Sequence, residues 1–153
     1  MLQIHTKAPQ FQLLDIENKV RSLDEFLGKK IVLYFYPKDS TGGCTKQALS
    51  YKEAYTEFLK KDIIVIGISK DSISPHQKFI KKYDLPFLLL SDESLEAILA
   101  YDVWHEKKLY GKPYMGTVRT TYIIDEKGFI IYANDKVKAA TDAFDILKEI
   151  EKE

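Results

Sequence analysis

The chain reads as an α/β fold with a parallel core, an antiparallel edge and helices on both sides of the sheet. Three observations lead there. Two apolar, β-branched runs, Ile31–Tyr36 and Ile63–Ile68, flank a segment with helical spacing, which is a βαβ unit with a right-handed crossover. A second helical segment and the short apolar run Phe87–Leu90 continue the alternation. The last third instead holds two strands about the turn Asp125–Gly128 and then a closing helix.

Each element has a local reason. Phe11–Asp15 alternates loosely as a strand, and Ile16–Val20, turning at Glu17 and Asn18, makes a small N-terminal hairpin. Ser22 caps one helical turn, Leu23–Phe26, which Gly28 ends. From Cys44 to about Lys60, Ala48, Tyr51, Tyr55, Phe58 and Leu59 share one face, with Lys46, Lys52, Glu53 and Glu57 opposite. Ser74-Pro75 opens the next helix, along which His76, Phe79, Ile80 and Tyr83 recur at helical spacing. Pro86 breaks that pattern, and Ser94–Ala100 forms a short helix. Val103–Met115 is basic, aromatic and without a period, so it reads as an extended surface loop returning towards Cys44. Thr120–Ile124 and Phe129–Ala133 pair as strands. Thr141–Glu151 closes the chain with Phe144, Leu147 and Ile150 inward.

Length sets one domain over residues 1–153. The sequence is 45% hydrophobic and 30% charged with zero net charge, which favours neither nucleic acid nor a membrane surface as partner. The N-terminal MLQIHTKAPQ lacks the apolar core of a signal peptide, and no apolar run approaches the length of a membrane span. A cytoplasmic location is the default expectation. Arginine occurs only at 21 and 119, and asparagine only at 18 and 134, while lysine and glutamate are abundant, a trend of hyperthermophile proteomes; an AT-rich genome would also favour lysine, isoleucine and tyrosine, but asparagine too.

The segment that organises the chain is YFYPKDSTGGCTKQAL, Tyr34–Leu49. It runs from strand through a tight loop, Pro37–Gly43, to the only cysteine, Cys44, at the start of a helix. The first N–H groups of a helix lack intrahelical partners and carry partial positive charge, so a thiolate placed there is stabilised. The Thr41 hydroxyl, three residues earlier, can donate to the sulfur or to a substrate oxygen. Pro37 fixes the entry to the loop and can shield the sulfur from water. Gly43, beside Cys44, lets the backbone approach a bound ligand closely and is a candidate substrate-binding residue. A lone cysteine is more often a small buried hydrophobe, but this neighbourhood favours a reactive one.

Pro37, Thr41 and Cys44 fit the Pro-x-x-x-Thr/Ser-x-x-Cys motif, and the chain resembles the peroxiredoxins, in particular their bacterioferritin-comigratory (PrxQ) branch. A second segment, YGKPYMGTVRTTYIID at Tyr110–Asp125, also resembles that branch, and the likeness runs from about Ala8 to Ile150. Among the α/β folds the pattern allows, the resemblance selects a thioredoxin-like fold with an N-terminal β-hairpin extension. It places Arg119, otherwise an ordinary strand-end cation, at the family's active-site arginine. Gln47 matches a Glu or Gln position of the family, and either orients Arg119 or is simply solvated. Tyr36 reads as core packing beside the site.

The activity implied is thiol-dependent reduction of hydrogen peroxide and organic hydroperoxides through a sulfenic acid on Cys44. Two departures stand out. Many relatives carry a resolving cysteine five residues after the first, where this chain has Leu49. The resemblance then implies a one-cysteine cycle, with a thioredoxin-like protein, a glutaredoxin or a small thiol as external reductant. Gly42 stands where proline is common, so the loop is expected to be less rigid. A reading from another class is a redox sensor or binding module, with Cys44 oxidised stoichiometrically. His5, His76 and His105 show no metal-ligand spacing, with His76 packing at a helix start, and no nucleotide-binding motif occurs, so neither metal nor other cofactor is expected. Relatives of this branch suggest a monomer or homodimer.

Overall fold

The computed structural model, which describes residues 1–152, holds nine strands and four helices. In chain order they are β1 (Gln12–Leu14), β2 (Val20–Ser22), β3 (Ile31–Phe35), α1 (Gly42–Lys60), β4 (Ile64–Ser69), α2 (Ile73–Tyr83) and β5 (Leu88–Ser91). Then come α3 (Glu96–Ala100), β6 (Trp104–Leu109), β7 (Lys112–Thr117), β8 (Thr120–Ile124), β9 (Ile130–Asn134) and α4 (Asp142–Glu151). A 3₁₀ turn, Leu23–Phe26, follows β2, and the Glu25 carboxylate accepts from the Ser22 N–H at 3.1 Å. Gly28 then turns the chain at φ 103°.

Seven strands form one mixed sheet in the order β2-β1-β5-β4-β3-β8-β9. β3 pairs parallel with β4, Ile31 opposite Ile64, as the βαβ reading requires, and antiparallel with β8, Tyr34 opposite Thr121. β3 is buried along its whole length, so both faces are apolar and successive side chains serve different layers. Val32 and Tyr34 point to the layer built by α1 and α4, with Phe58, Phe87 and Ile146. Ile31, Leu33 and Phe35 point to the opposite layer, with Leu23, Ile98, Tyr101 and Tyr122. Tyr34 stacks on Tyr51 of α1 with ring centroids 4.7 Å apart, which sets that helix against the central strand.

Three expectations need correction. Val103–Met115 belongs to a β-ribbon, β6 paired with β7, rather than to an irregular loop. Its turn is Tyr110-Gly111, both at positive φ (51° and 77°), which suits a two-residue hairpin. Most of the ribbon's side chains face solvent, so no alternation marks it. Leu59, expected inward on α1, is 58% exposed, because Phe58 and Ala54 already fill that turn of the face. Phe144 is 39% exposed, its inward place taken by Ala143 and Ile146. Among the described residues, no helix is long and apolar enough to cross a membrane.

Gly67 shows how tightly the central layer is packed. A Cβ there would lie 2.7 Å from Leu89 Cδ2 and 2.9 Å from Tyr34 Cζ. Gly67→Ala should therefore push Tyr34 off Tyr51 and lower the stability by about 1–3 kcal/mol, the usual cost of overpacking. Urea-induced unfolding of the variant checks this, and an unchanged midpoint would refute it.

Candidate active site

The loop between β3 and α1 is held from below by buried polar contacts. The Tyr36 N–H donates to the Ile68 carbonyl at 3.1 Å, extending the β3–β4 pairing by one residue. The Tyr36 hydroxyl donates to Asp39 Oδ1 at 2.5 Å, and burial keeps that phenol well above its ordinary pKa and so protonated. Asp39 Oδ2 meets His76 Nδ1 at 2.5 Å, and His76 Nε2 donates to the Leu90 carbonyl at 3.0 Å. The Asp39 N–H donates to Asp71 Oδ2 at 2.8 Å. Asp39, Asp71 and His76 thus bring three potential ligand atoms within 4.8 Å, and each is engaged in hydrogen bonds inside the protein. His76 packs at the start of α2, as its position suggested, but its partner Asp39 carried no signal in the sequence.

The chain then passes Ser40, at φ 64°, and enters α1. The Thr41 carbonyl accepts the first helical bond, from the Thr45 N–H at 2.8 Å. The N–H groups of Gly42, Gly43 and Cys44 come before that first bond and are the orphan donors of the helix start. Cys44, third residue of α1, is 2% exposed. Thr41 is exposed, and its hydroxyl donates to the Lys38 carbonyl at 3.0 Å rather than to the sulfur. Pro37 is half-buried at the loop entrance.

Arg119 reaches the sulfur from the short link between β7 and β8. Two bonds fix that link: the Val118 N–H donates to the Val103 carbonyl at 2.7 Å, and the Thr120 hydroxyl to the Val118 carbonyl at 2.8 Å. One guanidinium nitrogen, Nη2, donates to Cys44 Sγ at 3.4 Å, and the other, Nη1, to Gln47 Oε1 at 2.6 Å. Gln47 is fully buried, so the solvated alternative does not hold. Gly43 has a reason the sequence did not suggest. A Cβ on it would lie 3.0 Å from Arg119 Nη2, so its bareness admits the guanidinium.

Behind Gln47 lies a buried carboxylate, Asp142, the first residue of α4. Its Oδ2 accepts from Gln47 Nε2 at 3.0 Å, the Tyr51 hydroxyl at 2.7 Å and the Thr121 hydroxyl at 2.8 Å. Burial pushes the Asp142 carboxyl above its ordinary range, and the three donors pull it back. Lys107 of β6 is a second cation near the site, its Nζ donating to the Thr117 carbonyl at 3.0 Å. Partial burial and the charge of Arg119 lower its pKa, while Cys44 acts the other way. Neither residue was found from the sequence. Asp142 is 98 residues from Cys44, and Lys107 lies in the segment that showed no period.

A thiol at a helix N-terminus, met by an arginine, on a sheet with a thioredoxin-like core defines a thiol-dependent peroxidase of the peroxiredoxin class. The chain belongs to the AhpC/TSA family, whose model matches residues 4–133. It is similar to a putative peroxiredoxin Bcp of Coxiella burnetii, with 46% identity over 90% of this chain and 91% of the relative. It is also similar to peroxiredoxin Bcp of Bacillus subtilis, with 41% identity over 97% of each. Among solved structures, a mutant of Xylella fastidiosa PrxQ superposes with a TM-score of 0.93 at 28% identity, over 99% of this chain and 97% of that one. Bacterioferritin comigratory protein of Xanthomonas campestris, studied for alkyl peroxide reduction, matches with a TM-score of 0.87 at 34% identity, over 93% and 90%. The chain is thus a peroxiredoxin of the Bcp/PrxQ branch with a single cysteine.

Two glycines at the start of α1 allow separate predictions. Gly43→Ala should shift the guanidinium relative to Cys44 and slow the peroxide reaction by about tenfold. Gly42 has open space around it and is the first residue of α1, where proline is favoured. Gly42→Pro should raise the stability by about 0.4–1 kcal/mol. Thermal midpoints, with stopped-flow peroxide reduction for Gly43→Ala, check both.

Proposed function

We propose that Cys44 reduces hydrogen peroxide and organic hydroperoxides in a one-cysteine cycle. The observation supporting it is the 3.4 Å contact of Arg119 Nη2 with Cys44 Sγ, at the N-terminus of α1 in a chain with no second cysteine. The Cys44 thiolate attacks one peroxide oxygen in line, and the O–O bond breaks. The other oxygen leaves with the bonding pair and takes a proton to become water or an alcohol, and Cys44 becomes a sulfenic acid. Arg119 stabilises both the thiolate and the departing oxygen, its fixed charge and rigid fork suiting it to a site that must not reorganise. The N–H groups of Gly43 and Cys44 face the same oxygen. The Thr41 hydroxyl turns from the Lys38 carbonyl to the substrate, and Pro37 keeps bulk water from the sulfur. The whole chain acts as one domain.

Leu49 sits five residues past Cys44 on the outer side of α1 and is 38% exposed. With no thiol there, an external thiol condenses with the sulfenic acid to a mixed disulfide and water, and a second thiol releases the enzyme. The reductant is a thioredoxin-like protein, a glutaredoxin or a small thiol.

Peroxide consumption with excess dithiothreitol, compared with Cys44→Ser, tests the cycle. Many turnovers, lost in the variant, are expected. One equivalent consumed before a halt would instead indicate a redox sensor or an over-oxidised enzyme, told apart by the intact mass of Cys44, and no consumption would refute both the cycle and the sensor. Arg119→Ala should slow the reaction by about a hundredfold and move its rate-versus-pH profile to higher pH. An unchanged profile would remove Arg119 from the chemistry.

A further inference from the structure

We propose that Asp142 is a positioning residue for peroxide reduction, acting on Cys44 through Gln47 and Arg119. The inference rests on the reading that Arg119 serves the sulfur. A glutamine amide has two ends of nearly equal shape and opposite function. Arg119 has only donors to offer, so it is held only if Oε1 faces it. With the amide reversed, its NH₂ would meet the guanidinium and the bond would be lost.

Nothing in Gln47 itself decides between the two. Its carbonyl end meets Arg119 Nη1 at 2.6 Å and its amide nitrogen meets Asp142 Oδ2 at 3.0 Å. A carboxylate only accepts, so it takes the nitrogen and forces the oxygen outward. Asp142 is itself fixed by the Tyr51 and Thr121 hydroxyls, at 2.7 and 2.8 Å on the same oxygen. Tyr51 is a dependable donor, since burial and the nearby Asp142 charge keep its phenol well above the ordinary range. The chain of contacts therefore runs without a gap from α4 to the sulfur, through residues that are all buried except the half-buried Arg119. Asp142 touches neither the sulfur nor the place of the substrate, so its action is orientation alone.

A double-mutant cycle tests this. The variants are Asp142→Asn, Gln47→Glu and the two together, with wild type and Cys44→Ser as references. The readouts are the second-order rate with hydrogen peroxide, the pH dependence of Cys44 alkylation by iodoacetamide, and the thermal midpoint. Asparagine can present either its oxygen or its NH₂ to Gln47 and so no longer forces the amide's orientation; Asp142→Asn should slow the peroxide reaction by about tenfold or more. In the double variant, the glutamate introduced by Gln47→Glu accepts from Arg119 with either oxygen. The amide introduced by Asp142→Asn can donate to the oxygen left over. The double variant should therefore return to within about threefold of wild type. Gln47→Glu alone sets two buried carboxylates face to face and should be slower than the double variant.

An unchanged rate in Asp142→Asn, or an equal loss from Asp142→Asn with and without Gln47→Glu, would mean that an acceptor-only group at 142 does not set the amide's orientation and would overturn the proposal. If Asp142→Asn does not fold, the comparison of Gln47→Glu with the double variant decides, and a double variant no faster refutes it. If wild type consumes no peroxide, the peroxidase reading fails by itself. The alkylation profiles then judge the positioning: a shift in Asp142→Asn that Gln47→Glu reverses supports it, and no shift overturns it.

Discussion

The guanidinium of Arg119 is the constraint on which the rest of the site depends. One of its terminal nitrogens is given to the thiol and the other to an amide oxygen. Because the fork is planar and rigid, fixing one arm fixes the other. The sulfur thus meets a cation whose direction is set by the protein and not by the peroxide. That matters for a substrate this small, which offers few handles of its own. The electrostatic work must be arranged before it arrives.

The fold supplies this arrangement from distant parts of the chain. Cys44, Gln47 and Tyr51 recur at spacings of three and four, so they line one face of α1. β8, paired with β3, contributes Thr121 and carries Arg119 just ahead of its first residue. The start of α4 brings Asp142 against the same face. A polar column so formed crosses a layer otherwise filled by Val32, Phe58, Phe87 and Ile146. Buried polar groups are tolerated there because they satisfy one another. One exception among the described residues is the Tyr34 hydroxyl, which is buried without a partner beside Gly67. Its ring is retained by stacking on Tyr51, an apolar contribution that offsets the lost hydrogen bond.

The legible parts of the sequence were those whose signal is local. The period of β3, α1 and β4, the loop residues Pro37–Gly43 and the lone Cys44 all lie within one stretch, and the elements followed within a residue or two. Arg119 was found through its likeness to a family segment, since a single arginine at a strand end has no intrinsic meaning. Asp142 was invisible because a helix-start aspartate normally faces solvent and interacts with its own helix. Only the tertiary fold turns it inward. The Asp39–His76 pair was hidden for a similar reason: one partner lies in a loop and the other in the first turn of a later helix. The β6–β7 ribbon escaped because its faces are both largely wet, which removes the alternation on which strand recognition rests.

The two glycines at the start of α1 show how the same residue type answers different demands. Gly42 has open space about it, so its bareness confers only backbone freedom on the loop's exit. Gly43 stands against the guanidinium, and a side chain there would press on Arg119 Nη2 at 3.0 Å. The loop before them is anchored at Asp39, while Lys38, Ser40 and Thr41 on either side are exposed. The buried polar contacts are therefore concentrated at the anchor and at the arginine, while the residues between them face solvent. Cys44, 2% exposed, is covered at the point where that exposed stretch enters α1.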